Sequence, residues 1–206
     1  MGAVAVGRVR ATALDAVTVD AHGTLLTLTD PAPRLQQLLP EYEHDAIERA
    51  FTREAAYYRE HAGRGRDAAT LRELREDCVG VFNGALGSSL SADDYVGALH
   101  FEVLPSVGGS LERLRALGLS LAVVANWDYS LHERLAELGL AHFFAAVVPA
   151  AGKPSPDGIR RALDELAVEP ARTLHVGDDE TDERAARAAG VAFAYAPLPR
   201  VVARLA

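Results

Sequence analysis

Apolar runs and helically spaced stretches alternate along this chain. Leu119 to Ala125 is an almost unbroken apolar run, as a strand covered on both faces requires. Ala13 to Val19 is a looser run of the same kind, and Ala145 to Val148, Thr173 to Val176 and Val191 to Tyr195 are shorter ones. Between them, apolar residues recur every three or four positions over Gly109–Gly118, Ser130–Leu138, Asp157–Leu166 and Thr181–Ala189, the period of a helix with one buried face. Gly118, Gly139 and Gly190 stand where such helices stop, because glycine takes the left-handed backbone of a helix terminus at little cost. Strand and helix in alternation with short loops predict an α/β fold, a doubly wound parallel sheet with right-handed crossovers.

One stretch breaks that rhythm. From Pro33 to about Leu99 there is little β-branched sequence, and apolar residues keep helical spacing, as in Ile47, Ala50, Phe51, Tyr58 and again in Leu71, Leu74, Cys78, Phe82. Glycine-rich loops at 61–67 and 86–91 divide it, and Ser91 followed by Asp93 and Asp94 is a helix start. The reading is a helical insert over 29–100, with 1–28 and 101–206 forming the α/β core. Leu25 to Thr29 reads as a brief flap stopped by Pro31, the return to the core is placed at Leu104, and residues 1–12, without periodicity, read as a loose arm.

With 206 residues the chain can bury one full core plus a small accessory domain. A net charge of −8 argues against nucleic-acid or anionic-membrane partners, which require a basic face. The sequence has neither a membrane-length apolar run nor a signal-peptide pattern, so a cytoplasmic protein is expected. The single cysteine, Cys78, rules out an intrachain disulfide or thiolate cluster and falls on a predicted buried helix face. All but one of the 21 basic residues are Arg. The exception, Lys153, lies in the turn Gly152-Lys153-Pro154-Ser155-Pro156, and a compact ammonium is not interchangeable with a planar guanidinium.

Candidate chemistry gathers where the predicted strands end. Asp20 follows the first strand and leads into Gly23; Asn126 follows the second; Lys153 follows the third; Asp178 and Asp182 follow the fourth. Residues just beyond the carboxyl ends of parallel strands converge on one edge of the sheet. Three acids brought together there repel one another unless a divalent cation sits among them, and hard oxygen ligands suit Mg²⁺.

Val19-Asp20-Ala21-His22-Gly23-Thr24, then the Lys153 turn, then Gly177-Asp178-Asp179-Glu180-Thr181-Asp182, resemble in order and spacing the motifs of the haloacid dehalogenase-like (HAD) hydrolase superfamily. The resemblance covers nearly the whole chain, and the helical insert resembles a C1-type cap of subfamily I. It implies a Mg²⁺-dependent phosphatase of a small phosphorylated or carboxylated metabolite, with Asp20 as nucleophile and Lys153 neutralising it. The metal would be held by Asp20, the residue 22 carbonyl, Asp178 and Asp182, and substrate would be bound by Lys153 and Asn126.

Two positions depart from the family pattern. His22 stands where a phosphatase of this family has a second Asp, and Ala125 where it has Ser or Thr. Imidazole can itself move a proton near neutral pH, which makes His22 a candidate acid and base. The departures leave two alternatives open: a degenerate relative that only binds a phosphorylated ligand, and a metal-independent 2-haloacid dehalogenase. Substrate identity and oligomeric state are not written in these motifs.

Overall fold

The computed structural model describes residues 14–205, so the arm read at 1–12 and Ala13 of the first predicted strand lie outside the described residues. The first strand, β1 (Ala16–Val19), is buried at every position. It is followed by β2 (Leu26–Leu28) and four helices, α1 (Ala32–Leu38), α2 (His44–His61), α3 (Ala68–Leu86) and α4 (Ala92–Ala98). The chain then runs through β3 (Phe101–Val103), α5 (Val107–Ala116), β4 (Ser120–Val124), α6 (Leu131–Glu137) and β5 (Ala146–Val148). It closes with α7 (Asp157–Leu166), β6 (Thr173–Gly177), α8 (Glu180–Ala189), β7 (Ala192–Tyr195) and α9 (Leu198–Val202).

Five strands form one parallel sheet in the order β5-β4-β1-β6-β7. The chain winds outward from β1 through β4 to β5, then crosses to β6 and winds the other way, which leaves a crevice at the strand ends beside β1. Side chains alternate across the sheet. Val17, Val19, Leu121, Val123, Leu174 and Val176 face one layer with α5, α6 and α9, and Ala122, Val124 and Ala146 face the other with α7 and α8. On that second face Thr18 and His175 are also fully buried. Among the described residues, no helix is long and apolar enough to cross a membrane.

The helices of 32–98 share an apolar cluster of their own, built around Leu35, Ile47, Phe82 and Tyr95. Asp67 and Thr70 form a reciprocal capping box at the start of α3, and Gly87, at φ 77°, ends it in the left-handed conformation. Ser91 caps α4 through the Asp94 N–H. The stretch read as a flap is a strand: Leu26–Leu28 pairs antiparallel with Phe101–Val103, three residues earlier than the expected return at Leu104. Three residues are too few for strand alternation to show in sequence. Helix α5 likewise begins at Val107, ahead of the expected Gly109, because its buried Leu111 and Leu114 hold a start that Gly108 and Gly109 would not favour.

Leu111 is fully buried between α5 and the sheet. Leu111→Ala should lower unfolding free energy by roughly 2–5 kcal/mol, read as a shift of the urea midpoint at unchanged slope.

Candidate active site

Each strand ending on the crevice delivers one polar group. Asp20 directly follows β1, and its N–H donates to the Val176 carbonyl of the neighbouring β6, so the sheet's hydrogen bonding extends to the start of the residue. The turn beyond it passes through Gly23 at φ 79°. A side-chain methyl there would collide with the Asp178 carboxylate, so glycine is required both by the backbone and by the close approach of that acid.

Lys153 is placed by two loops stitched together. The Ala151 N–H donates to the Ala125 carbonyl and the Ala150 N–H to the Trp127 carbonyl, at 3.1 and 2.7 Å. The carboxamide of Asn126 completes the clamp: Nδ2 donates to the Lys153 carbonyl and Oδ1 accepts the Lys153 N–H, 2.8 Å each. The side chain predicted to bind substrate thus holds the lysine backbone. Lys153 Nζ in turn donates to Asp20 Oδ1 and to Asp182 Oδ1, both at 2.5 Å, with only 3% of its side chain exposed.

Asp182 belongs to two structures at once. At the third position of α8 it completes a capping box with Asp179, and its Oδ2 accepts the N–H groups of Asp178 and Asp179 at 3.2 and 3.4 Å. Its Oδ1 takes the Lys153 ammonium and faces His175 Nε2 at 3.4 Å. A side chain on Gly177 would run into Asp182, so that glycine makes room for it. Behind lies a contact the sequence reading missed. Thr18 and His175 are register partners on β1 and β6, and Thr18 Oγ1 meets His175 Nδ1 at 2.8 Å. The signal available was a histidine inside an otherwise apolar strand one step before Val176-Gly177-Asp178.

The electrostatics follow from burial and crowding. Burial raises the Asp20 carboxyl most, Lys153 pulls it back, and Asp182 and Asp178 raise it again, leaving it at about 7. For Asp182 burial also works against the charge, but the His175 and Lys153 bonds outweigh it and hold the carboxyl well below the usual range. Lys153 is the mirror case: burial disfavours the ammonium, and its two carboxylate partners more than restore it. Desolvation lowers His175, which favours a neutral ring; with Nε2 donating to Asp182, Nδ1 accepts from Thr18. Burial, then Asp182 and Asp179, raises Asp178.

Oxygens of Asp20, Asp178 and Asp182 come within 4.8 Å of one another. One ammonium against three carboxylates leaves surplus negative charge, and that donor set fits a hard divalent cation. Asp182 is already largely engaged by protein groups, whereas Asp178 is exposed. His22, also exposed, is close enough to act on the Asp178 charge. Ala125 is buried, its N–H donating to the Val148 carbonyl at 3.1 Å. Asp20, His22, Ala125, Asn126, Lys153, Asp178 and Asp182 all line one cavity of about 530 Å³ among the described residues, which extends from Asp20 between the sheet edge and α2, α3 and α4.

Across that cavity, Tyr58 of α2 donates to Asp128 Oδ2 at 3.0 Å, and the Tyr129 N–H donates to the Gly65 carbonyl at 2.7 Å. Trp127 is buried against Phe101, ring centroids 4.9 Å apart, with its Nε1–H on Ser130 Oγ.

A family model described as haloacid dehalogenase-like hydrolase matches residues 14–190. The chain is 40% identical over 90 residues to the haloacid dehalogenase-like hydrolase domain-containing protein 3 of Mus musculus, covering 42% of this chain and 36% of that protein. It is 37% identical over 101 residues to a phosphoglycolate phosphatase of Neisseria meningitidis, covering 44% and 43%. These matches span less than half of either relative. The L-2-haloacid dehalogenase of Xanthobacter autotrophicus has a similar fold, with a TM-score of 0.68 and 25% identity over 88% of this chain and 77% of that one.

Lys153→Met would leave Asp20 and Asp182 buried beside Asp178 with no ammonium. A loss of about 3 kcal/mol at pH 7 is expected. The sign with pH is set by the acids. Asp182, depressed in the parent, contributes stability above its unfolded pKa that is lost as pH falls. In the variant the carboxyls titrate upward instead, so acid relieves it. The gap between the two proteins, measured by denaturation at pH 7 and pH 4, should narrow at the lower pH.

Proposed function

This chain belongs to the haloacid dehalogenase-like hydrolase family, and on that premise we propose that it is a Mg²⁺-dependent phosphatase acting on a small phosphorylated metabolite. The observation that carries the reading is the Lys153 ammonium shared by Asp20 and Asp182, with Asp178 alongside and one cavity in front. Asp20 is the nucleophile: a carboxylate oxygen forms a bond to phosphorus, the bond to the leaving oxygen breaks, and an aspartyl-phosphate results. Water then attacks that phosphorus, releasing phosphate and returning the Asp20 carboxylate.

Lys153 favours the ionised form of Asp20 against burial and its acidic neighbours and meets the charge that develops on the phosphoryl oxygens. Asn126 and Asp182 hold it in place, so little reorganisation is needed when substrate arrives. Asp20, Asp178 and the residue 22 carbonyl are the proposed ligands, with Asp182 supporting them. Bound there, Mg²⁺ would neutralise the surplus carboxylate charge and draw charge from the phosphoryl oxygens. His22 is the group proposed to protonate the leaving oxygen. The helices of 32–98 serve as a cap, hinged where β2 and β3 pair.

Asp20→Asn should abolish phosphate release from a panel of phosphate monoesters while its unfolding transition stays cooperative. Chelator should abolish release by the parent, and added Mg²⁺ should raise the parent's melting temperature more than that of Asp178→Asn. Full activity in chelator would remove the metal from the scheme.

The residues at 22 and 125 favour a second reading, a protein that binds a phosphorylated ligand without turning it over. Restoring both family side chains, His22→Asp with Ala125→Ser, separates the two. If the site is an intact phosphatase lacking an acid, release from a generic ester should rise by roughly 10²- to 10⁴-fold, the contribution of a positioned acid. If His22 is the working acid, the double change should impair the parent's best substrate. Ligand binding by both proteins with turnover by neither would favour the binding protein.

A further inference from the structure

The cap half of the cavity has a chemistry of its own. Its walls are mostly apolar, with Phe51, Leu74, Val96, Leu99 and Phe101 among them, and Glu54 lies in their midst. Glu54 is only 4% exposed and yet lines the chamber. Its Oε2 accepts the Tyr95 hydroxyl at 2.7 Å, and Tyr95 is itself 1% exposed. Cys78, on the same wall, also bonds to the Glu54 carboxylate, so the acid faces the chamber with Tyr95 and Cys78 holding it in place. An acid has no packing advantage in such a wall, since a buried carboxyl is costly without partners.

The other charged groups of this half differ in setting. Arg59 is exposed at the cavity wall, where its charge acts on Glu54, Arg75 faces Glu133 at 4.0 Å, and Arg134 is paired with Glu137 at 2.8 Å and lies over the Phe101 ring. The buried polar group offered to an occupant's far end is therefore an acceptor. The whole cavity, catalytic end included, measures about 530 Å³, within the range of roughly 300–1,000 Å³ that holds ligands with a substantial organic body.

We propose that Glu54 selects the leaving group: the chamber takes a phosphate monoester whose alcohol has an apolar, ring-sized body and carries a hydrogen-bond donor, hydroxyl or ammonium, at the end that meets Glu54. The inference rests on the phosphatase reading above, and it sets this chain apart from enzymes of phosphoglycolate, whose leaving group is small and ends in a carboxylate. Such a group would bring a second negative charge to Glu54 and leave the apolar wall unfilled. A site that hydrogen-bonds its substrate discriminates strongly against analogues lacking the donor, because its own buried group is then left without a partner.

The test compares phenyl phosphate, its 4-(2-aminoethyl), 4-(2-hydroxyethyl) and 4-carboxymethyl derivatives, and phosphoglycolate, on the parent and on Glu54→Gln. The parent should favour the amino or the hydroxyl ester over plain phenyl phosphate by tenfold or more in kcat/KM, chiefly through KM, and should disfavour the two carboxylates. Glu54→Gln should reduce that preference at least tenfold for the amine and less for the hydroxyl, since the amide keeps an acceptor oxygen. Which ester leads decides between ammonium and hydroxyl. A preference ratio unchanged in Glu54→Gln, or a parent that favours phosphoglycolate, overturns the proposal. If no ester releases phosphate, it is the phosphatase reading that fails. Calorimetric binding of the same esters to the two proteins then decides the selection separately: a Glu54-dependent donor preference upholds it, and equal affinities reject it.

Discussion

A buried ammonium held between two carboxylates governs the architecture of this molecule. Lys153 can stay charged at 3% side-chain exposure because Asp20 and Asp182 each accept from it at 2.5 Å. Those three residues come from three different strand ends, so the pairing constrains the sheet itself. Parallel register of β1 with β6 fixes Asp20 against Val176 and, one layer back, Thr18 against His175. The loop after β5 is pinned to the loop after β4 by two backbone bonds and the Asn126 carboxamide. Buried polar groups satisfied from several sides hold a single arrangement, because loss of any member leaves another without its partner.

The same cluster joins structural and chemical demands in one side chain. Asp182 caps α8 and orients Lys153, so the start of the helix and the position of the ammonium are set together. Asp178, one step outside that network, keeps its carboxylate on the cavity, where Gly23 gives it room. The site thus divides into an inner pair that sets charge and an outer acid open to an ion or ligand. Facing it, the helical half is tied to the sheet edge by Tyr58 on Asp128 and by Gly65 on Tyr129. That closure turns a crevice into a chamber whose near wall is ionic and whose far wall is apolar around Glu54.

Much of this was present in the order of residues. Continuous apolar runs marked the buried strands, and helical spacing with terminal glycines marked most of the helices, because burial on two faces or on one leaves a local period. Asp20, Lys153, Asp178 and Asp182 were readable for the same local reason, since each follows a strand directly and strand ends in a parallel sheet share an edge. The single lysine in an arginine background pointed at the ammonium that Asp20 and Asp182 share. Cys78 as a buried helix residue and Ser91 as a cap were local matters too.

Tertiary structure decided what depends on residues far apart in the chain. The β2–β3 ribbon joins segments more than seventy residues apart and is too short to show a period. His175 and Thr18 are ordinary in their own segments, and only strand register makes them a buried pair. Asn126, read as a substrate contact, lines the cavity, and only the packing of the two loops reveals that its amide also bonds the Lys153 backbone at both ends. Glu54 sits in a charged helix, Glu-Arg-Ala-Phe-Thr-Arg-Glu, where sequence shows one acid among many. Its burial against Tyr95 arises only when α2, α3 and α4 pack over the sheet edge, because a side chain's dielectric surroundings are set by neighbours the local sequence does not contain.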